Sequence, residues 1–487
     1  MDTAAATAAS GRTTSAPVAG AGFAPAPGRL RARTATLLGP RLLPYWTAAA
    51  LFAVFFAISA LRFRAMATAS WDLGIFEQAV RAYAHLRAPV ADLKGPGTNL
   101  LGDHFSPVLA LLAPLYRVFP GPLTLLFAQA FLFALSAVPV TRAAVRALGQ
   151  GRGLAVGVAY GLSWGLQKAV DFDFHEIAFA VPLIAFALEA VLRGRWTAAV
   201  CWAAPLVLVK EDLGVSAAAI GALILVRARR AVPLAVALVA FGLVAAAVTL
   251  GVIIPGFNGS GSYDYWNKLS GEGGPAPRIP PDTAVRTLLW IVLPTSGLLA
   301  LRSPLLLVAL PTLGWRFISH EPHYWGVDWH YNAVLMPVVF LALADALPRT
   351  LVSTRPWVRA YAHHLPAAVL AAALALTTTL PLARLTEAGT YRKPPAATAA
   401  EHLLERIPDG ATVEADIRPI SRLTDRTRVF WIGDTRGIAP DYVAVELRDG
   451  RGPEQAQDDA RKRHPKAVYD ILGAAGDVTV LRRTGRR

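Results

Sequence analysis

The sequence predicts a polytopic α-helical membrane protein that carries a small soluble α/β domain near its C-terminal end. The 487-residue chain is 54% hydrophobic and only 17% charged. Its mean hydropathy of +0.42 is too high for a soluble protein of this length. Long apolar runs recur as far as residue 382, and the composition becomes polar after that point. These features place the larger part of the chain in a bilayer.

The charged residues exclude one class of partner. The formal net charge is +15, which by itself would also suit a nucleic-acid-binding protein. The Lys and Arg residues, however, lie in short clusters beside apolar runs, as the positive-inside rule describes. We therefore expect membrane lipids as neighbours and no nucleic-acid partner. The single cysteine, Cys201, lies inside an apolar run, so the sequence offers no disulfide framework and no thiolate metal site.

The chain begins with residues 1–41, whose Ala, Thr, Pro, Gly and Arg content predicts a disordered cytoplasmic tail. The first apolar run, 42–61, is longer than the apolar core of a signal peptide and predicts an uncleaved first span. Further runs bring the expected total to about eleven spans in a transmembrane domain of residues 42–383. These runs cover 122–140, 153–170, 177–192, 196–209, 213–226, 231–254, 285–301, 304–318, 331–347 and 365–382.

Two outer loops and the C-terminal part complete the chain. The first outer loop, 62–104, contains an amphipathic helix suited to lying flat on a membrane. Its apolar face is formed by Ile75, Phe76, Ala79, Val80, Tyr83 and Leu86. The second loop, 255–284, is rich in Gly, Pro and Ser and predicts either a mobile lid or a disordered segment. Residues 384–487 mix helical and strand patterns, which predicts an extracytoplasmic α/β domain that is a non-catalytic cap or a docking module.

Basic residues set the expected orientation in the plasma membrane. If the amino terminus is cytoplasmic, the Arg-containing loops fall in the cytosol, at 142–152, 193–195, 227–230, 302 and 349–359. The opposite face then receives most of the acids and histidines, in motifs at 72, 103–104, 171–176, 210–212 and 319–330. Ionisable groups at a membrane boundary are costly to hold and tend to mark function. The outer face is therefore the expected functional face.

Two motifs lie in or beside the first outer loop. Asp72 stands just before the amphipathic helix, so it is either an N-cap or a general base that takes a proton from a hydroxyl nucleophile. Asp103 and His104 either cap the following segment or place a hydrogen-bonding pair beside a substrate. The residues alone leave these alternatives open.

Two further motifs follow apolar runs. Asp171, Asp173 and His175 are spaced by two, so an extended backbone would point all three to one side. They could bind a divalent cation, with His320 and His323 raising that expectation, or they could form a solvated loop. The triplet 210–212 either neutralises itself, with Asp212 capping the next helix, or lets Lys210 act with Lys168 on a lipid phosphate.

Five sequence motifs resemble a known family. They are WDLGIFEQA, NLLGDHFSPVLALLAPLY, DFHEIAFAVPL, LVKEDLG and HYNAVLMPVVFLALADAL, in this order. Together they are similar to the predicted bacterial membrane proteins called domain of unknown function 2079, over about residues 51–347. That family in turn resembles the GT-C superfamily of membrane glycosyltransferases, which have many spans, surface helices in a large first outer loop and an outer soluble domain.

The resemblance implies a function. An acid in the first outer loop of GT-C enzymes is the catalytic base, and the donor is typically a polyprenyl-phosphate sugar, so Asp72 would be the base here. The chain departs from related enzymes in two places: His104 is followed by Phe-Ser-Pro instead of Pro-Pro, and Asp72 is followed by Leu73 instead of a second acid. Substrate-binding roles would fall to Asp103, His104, Asp173, His175, Lys210, Asp212, His323 and His330.

The expected function is thus transfer of a sugar from a lipid-linked donor to an acceptor on the outer face of the plasma membrane. The alternatives are a lipid or solute transporter and a non-catalytic membrane scaffold. A transporter would place its polar site near mid-bilayer between inverted repeats, whereas a scaffold would have a flat outer face without a cavity.

Overall fold

The structure is a computed structural model that describes residues 41–68, 71–266, 278–447 and 452–486. The predicted tail, apart from Arg41, lies outside the described residues. Part of the predicted lid, residues 267–277, also lies outside them.

The first part of the chain is almost entirely helical. Short 3-10 turns join many of its helices, and one π-helical turn, Thr249–Ile253, follows α10. Its α-helices are α1 (Leu43–Arg64), α2 (Asp72–Ala84), α3 (Ala113–Val118), α4 (Pro122–Leu148), α5 (Gln150–Gly161), α6 (Trp164–Asp171), α7 (Ala180–Leu192), α8 (Trp196–Ala203), α9 (Leu213–Arg227), α10 (Val232–Val248), α11 (Ile254–Phe257), α12 (Pro281–Ser296), α13 (Leu310–Ile318), α14 (Leu335–Leu351) and α15 (Pro356–Thr377).

Within the described residues, five helical stretches are long and apolar enough to cross a membrane. They are Leu43–Arg64, Pro122–Leu148, Arg229–Phe257, His330–Leu351 and Pro356–Thr377. Four shorter apolar stretches accompany them, at Pro107–Val118, Trp196–Leu208, Leu213–Arg227 and Pro304–Ile318. The expected count of about eleven spans is therefore not confirmed.

Some helices are shorter than the predicted apolar runs, because polar residues and residues with a left-handed backbone conformation interrupt the runs. The run 153–170 divides into α5 and α6 at residues 162–163. The run 285–301 ends as an α-helix at Ser296, where Gly297 adopts a φ of 52°. A φ in this range closes a helix readily at glycine, because glycine has no Cβ to collide with the preceding turn.

Close helix contacts build the bundle around α4. Gly153 and Gly157 of α5 lie against α4, and a Cβ on them would stand 2.3 Å from Val145 Cα and 2.2 Å from Thr141 Oγ1. Glycines four residues apart let membrane helices approach at backbone distance. Gly214 of α9 meets Gly242 of α10 in the same way, with a 2.5 Å distance from a Cβ to the carbonyl oxygen. This contact fixes the α9–α10 hairpin, which begins directly after residues 210–212.

The C-terminal part forms a five-stranded sheet of order β2-β1-β3-β5-β4. Strand β1 pairs in parallel with β2 and with the central strand β3, whereas β5 pairs antiparallel with β3 and β4. The bounds are α16 (Pro395–Leu404), β1 (Thr412–Ala415), α17 (Ile417–Ile420), β2 (Arg428–Trp431), β3 (Tyr442–Glu446), α18 (Pro453–Arg463), β4 (Ala467–Ala475) and β5 (Val478–Arg486). The small α/β domain expected after residue 384 is present, and we call it the sheet domain.

The predicted amphipathic helix is α2, but it is covered on more than its apolar face. Glu77 and Gln78, on its polar side, are 0% and 8% exposed. The helix ends at Ala84, so Leu86 falls outside it with a φ of 56° and is 89% exposed. The expected apolar face therefore loses Leu86, and the sheet domain covers much of the polar face.

The sheet domain packs directly on the first outer loop. Arg428 of β2 makes a bidentate ion pair with Asp92, with both N–O distances 2.8 Å. The Gln78 side chain donates to the Val429 carbonyl oxygen at 2.9 Å, and the Trp71 and Trp431 rings lie 4.8 Å apart. The outer loop is thus enclosed between the helical bundle and the sheet domain.

Gly74 in α2 tests this contact. A Cβ there would lie 2.3 Å from Ile420 Cγ2 and 2.8 Å from Leu93 Cδ1, so we expect Gly74→Val to destabilise the folded protein by about 1–3 kcal/mol through overpacking. The measurement is thermal unfolding of the purified protein in detergent. Gly151→Val is the matched control, because Gly151 is also helical and nothing lies within 4 Å of its Cβ position. Equal melting temperatures for the two variants would contradict the described contact.

Candidate active site

A cavity of about 490 Å³ lies where the first outer loop, the first turns of α2 and the ends of the bundle helices meet. Five separate parts of the chain contribute to its wall. They are the outer loop with α2, residues 172–175, residues 210–215, the π-helical turn with residues 263–265, and residues 311–331. The cavity is therefore assembled by tertiary contacts and not by one local motif.

The structure brings most of the predicted site residues together. Those that line the cavity are Asp72, Asp103, His104, His175, Lys210, Asp212 and His323. His330 lies directly behind the wall, with its ring stacked on that of His175 at 3.8 Å. Lys168, named with Lys210 as a phosphate ligand, instead contacts Asp328 at 3.3 Å and is not in the lining.

Asp173 is the predicted substrate ligand that the structure places elsewhere. Its side chain is 1% exposed and lies 3.4 Å from Arg62 of α1, as does that of Asp171. The segment is not extended here, because Asp173 has a φ of 66°. The two acids and His175 therefore do not point to one side.

Asp171, Asp173 and His175 are the three side chains expected to bind a divalent cation, and their different directions bear on that expectation. Among the residues that the structure describes, no group of three or more His, Cys, Asp or Glu side chains is placed to hold a metal ion.

Lys94 is a cavity residue that the sequence analysis missed. Its Nζ lies 3.1 Å from Asp103 Oδ2 and within 6 Å of the ring centres of Trp71 and Tyr265. Lys94 follows Asp92 in a 3-10 turn, and Asp92 is held by Arg428 of the sheet domain. A lone lysine in a polar loop carries no sequence signal, so only the fold reveals this position.

The predicted pair Asp103 and His104 forms one ion cluster with Lys94. His104 Nδ1 lies 2.8 Å from Asp103 Oδ2. Burial disfavours the ionised Asp103, but His104 and Lys94 outweigh this effect and hold the Asp103 pKa below its usual range. Burial likewise opposes the charged form of His104, and the Asp103 carboxylate reverses this and raises the His104 pKa.

Lys210 faces a second carboxylate. Its Nζ lies 3.3 Å from Glu176 Oε1, and Glu176 is 0% exposed. Burial opposes the charge on both groups. The neighbouring acids nevertheless stabilise the Lys210 ammonium group and raise the Lys210 pKa well above its usual range. The cavity therefore presents two ammonium groups, on Lys94 and Lys210, each already paired with a carboxylate.

The remaining wall is aromatic and apolar. Tyr and Trp rings surround the polar groups, namely Trp71, Tyr263, Tyr265, Trp315, Tyr324, Trp329 and Tyr331. On the side of the bundle the lining consists of apolar residues of α9, the π-helical turn and α13, which are Val215, Leu250 and Pro311. π-Helical turns inside membrane helices are rare and frequently occur at functional sites.

A buried arginine holds the loop that supplies the last part of this wall. Arg316 of α13 is 0% exposed. It donates to the Tyr324 and Gly326 carbonyl oxygens, both at 2.7 Å, and to Asn332 Oδ1 at 2.9 Å. These bonds fix residues 324–332 against the bundle, and so position Tyr324, Trp329 and Tyr331 at the cavity.

Comparison with known proteins identifies the family. The family model described as predicted membrane protein DUF2079 matches residues 62–272 and 276–475. The chain belongs to the DUF2079 family. No protein with a curated description matches the sequence.

Solved structures show the fold that this DUF2079 protein shares. ArnT from Cupriavidus metallidurans bound to undecaprenyl phosphate matches with a TM-score of 0.57 and 14% identity, over 89% of this chain and 97% of ArnT. ArnT in the apo state matches with a TM-score of 0.54 and 12% identity, over 89% and 98%. The Archaeoglobus fulgidus oligosaccharyltransferase in the apo form gives a TM-score of 0.45 and 13% identity, over 88% and 70%. The expected GT-C-like membrane fold with a small C-terminal sheet domain is confirmed.

One buried acid of this DUF2079 protein lies outside the cavity, between α2 and the sheet domain. Glu77 accepts a hydrogen bond from the Tyr116 hydroxyl at 2.9 Å and another from the Thr424 hydroxyl. Burial raises the pKa of Glu77 to about 8, and the two hydrogen bonds only partly offset this effect. The carboxyl group is therefore largely protonated at neutral pH, and it joins the helix of Asp72 to the sheet domain.

The raised pKa makes stability depend on pH. Because Glu77 binds its proton more tightly in the folded protein, its contribution is complete below pH of about 4.5 and is lost as the pH rises to about 8. We expect Glu77→Gln to remove this part of the pH dependence of the melting temperature. The loss in the wild type is at most about 1.4 kcal/mol per pH unit in that window.

Thermal unfolding between pH 5 and 9 measures the effect. Glu454→Gln in the exposed first turn of α18 is the control and should follow the wild type. A Glu77→Gln variant whose melting temperature falls with pH as steeply as that of the wild type would contradict the assignment.

Proposed function

We propose that this protein is a GT-C-type membrane glycosyltransferase that moves a sugar from a polyprenyl-phosphate donor to an acceptor hydroxyl on the outer face of the plasma membrane. The observation that carries the proposal is a single cavity in which the Asp72 carboxylate, two lysines and an apolar wall on the bundle side occur together.

The polar and the apolar residues of the cavity lining match the two parts of such a donor. Lys94 and Lys210 would bind the phosphate, because ammonium groups form short charge-assisted hydrogen bonds with phosphate oxygens. The apolar residues of α9, the π-helical turn and α13 would accept the first part of the lipid chain. The ArnT structure that shares the fold was solved bound to undecaprenyl phosphate, which agrees with this class of donor.

Asp72 would act as general base. It lies at the first turn of α2, and its side chain is about one-fifth exposed, at 19%, so a substrate hydroxyl can reach it. In the reaction the acceptor hydroxyl gives its proton to Asp72 while its oxygen forms a bond to the anomeric carbon of the sugar. The bond between that carbon and the phosphate oxygen breaks, and its electron pair leaves with the phosphate.

The ion pairs of the cavity favour this step. Lys94 and Lys210 are prearranged against carboxylates, so they can transfer part of their hydrogen bonding to a phosphate that gains negative charge as it leaves. The surrounding Tyr and Trp rings offer flat apolar faces to a sugar ring and exclude water from the donor. Asp103, His104, Asp212, His323 and His330 would orient the substrates by hydrogen bonding.

The position of the cavity favours an enzyme over a transporter. Its lining residues come from loops and from the ends of the candidate spans. A transporter site is instead typically formed by broken helices near mid-bilayer. We found no feature of the described residues that specifically favours a scaffold.

The two ends of the bundle carry different charges, which supports an outer location of the cavity. Arg142, Arg146 and Arg193 surround Glu189 near the C-terminal ends of α4 and α7. His175 and Glu176 precede α7 at its other end, beside the cavity. The positive-inside rule assigns the arginine end to the cytosol, so the cavity and the sheet domain would face outward.

Replacing Asp72 tests the proposed chemistry. We expect Asp72→Asn to lower sugar transfer at least about 100-fold, because the amide cannot accept the proton. Cells that lack the protein would be complemented with wild type, Asp72→Asn or the remote control Asp458→Asn, and their envelope glycans and lipid-linked sugars compared by mass spectrometry. The donor should accumulate only with Asp72→Asn and in the null strain. Wild-type glycans with Asp72→Asn would refute the base assignment.

Cysteine labelling tests the orientation. In a Cys201→Ala background, Ser260→Cys places a thiol in the loop beside the cavity and Thr354→Cys places one between α14 and α15, both at exposed positions. A membrane-impermeant maleimide added to intact cells should label the Ser260→Cys protein alone. Permeabilised cells, in which both variants should react, are the control for thiol reactivity. Labelling of only the Thr354→Cys protein in intact cells would reverse the proposed sidedness.

A further inference from the structure

Three segments that are distant in the sequence place four ionisable groups in a row along the cavity wall. Asp72 Oδ2 lies 3.9 Å from His175 Nε2. His175 Nδ1 lies 2.7 Å from Glu176 Oε2, and the other oxygen of Glu176 lies 3.3 Å from Lys210 Nζ. One imidazole therefore bridges the proposed base and a fully buried carboxylate.

The His175 ring is held in a fixed position. It is stacked on the His330 ring at 3.8 Å, and the edge of Phe76 approaches it at 5.2 Å. The backbone N–H of His175 donates to Gln129 Oε1 at 3.0 Å, which anchors the residue to α4. In this position its two nitrogens lie beside Glu176 Oε2 and Asp72 Oδ2.

The tautomer follows from these contacts. Glu176 Oε2 lies 2.7 Å from Nδ1. A ring nitrogen and a carboxylate oxygen without a proton between them would repel at that distance, so we assign the ring proton to Nδ1. The Ile177 backbone N–H also lies near Nδ1, in a longer contact of 3.4 Å. Nε2 is then a lone-pair acceptor that faces Asp72. His175 Nε2 is therefore placed to accept a proton from Asp72 and not from the substrate.

We propose that His175 acts through Asp72 as the second proton acceptor of the transfer, with Glu176 fixing its tautomer and Lys210 balancing the charge of Glu176. This inference rests on the proposed function of Asp72 as base. Asp72 takes the proton of the acceptor hydroxyl and passes it to His175 Nε2. The imidazolium is stabilised by Glu176, and it returns the proton to water after the products leave, so that Asp72 is ionised again for the next cycle.

Other charged groups face this row from neighbouring elements. Glu176 is influenced by His104 as well as by His175 and Lys210, and although burial opposes its ionisation, these positive charges hold its pKa below the usual range. Asp212 borders the small gap between His175 and His330, and burial raises its pKa to about 6. Arg316 lies beyond His330 and adds positive charge. The ionised Glu176 is thus the negative charge nearest to the His175 ring, ahead of Asp72.

The interaction of His175 with Asp72 and Glu176 can be measured without any substrate. Hydrogen–deuterium exchange at the C2 position of histidine, followed by mass spectrometry, reports on the surroundings of the His175 ring in the purified full-length protein. We expect Glu176→Gln and Asp72→Asn each to change the C2 exchange rate of His175 at least about threefold, because each removes a carboxylate beside one of its ring nitrogens. His363, which contacts Arg152 on α5, is an internal control whose exchange should not change. An unchanged exchange rate at His175 in both variants would overturn the inference.

Chemical rescue separates proton transfer from a structural role. Membranes from Asp72→Asn cells would supply the accumulated lipid-linked donor, and initial rates would be measured from pH 5.5 to 8.5. We expect His175→Ala to lower the rate about 100-fold, with imidazole in the buffer restoring a large part of it. Binding of undecaprenyl phosphate, followed by quenching of the cavity tryptophans, should change less than about threefold. His363→Ala is the matched control.

The outcomes distinguish the inference from the proposed function. If His175→Ala has a wild-type rate and pH profile, proton transfer from Asp72 to His175 (the relay) is overturned. The proposed function still stands in that case, provided that Asp72→Asn remains inactive. A loss that imidazole does not restore, together with lost undecaprenyl phosphate binding, would assign His175 a structural role and also overturn the relay. Transfer at the wild-type rate by Asp72→Asn would instead overturn the proposed function itself.

Discussion

The cavity depends on the pairing of charges at a membrane boundary, where little water is available to solvate them. Lys94 lies against Asp103 and Lys210 against Glu176, so neither ammonium group stands alone in a largely apolar wall. An unpaired buried charge is strongly destabilising, whereas a paired one can be retained and still exchange its partner for a ligand. These pairs explain how acids, lysines and histidines can line one cavity in a stable folded protein.

The sheet domain supplies the second constraint on the site. It holds α2 through Glu77 and holds the Lys94 turn through the ion pair between Asp92 and Arg428. Because Asp72 starts α2, the position of the proposed base depends on a domain whose described residues do not themselves line the cavity. The domain is therefore part of the framework of the site.

The cavity also gives a physical reason for motifs that are separate in the sequence. The WDLG motif contributes Asp72, the DFHE motif contributes His175 and Glu176, and the KED triplet contributes Lys210. In the fold these groups form one row of contacts with distances of 2.7 to 3.9 Å. The three motifs, far apart in the sequence, therefore meet at one site in the fold.

The sequence by itself determined the membrane class, the presence of a C-terminal α/β domain and most of the polar residues of the cavity, because hydropathy, strand alternation and charge placement are local properties of the chain. Only the tertiary structure decided that Lys94 belongs to the cavity and that Asp173 does not. Asp173 turns toward Arg62, which is 111 residues away in the sequence, and Lys94 is positioned through Arg428. Such partners are chosen by packing between distant segments, and no local pattern records that choice.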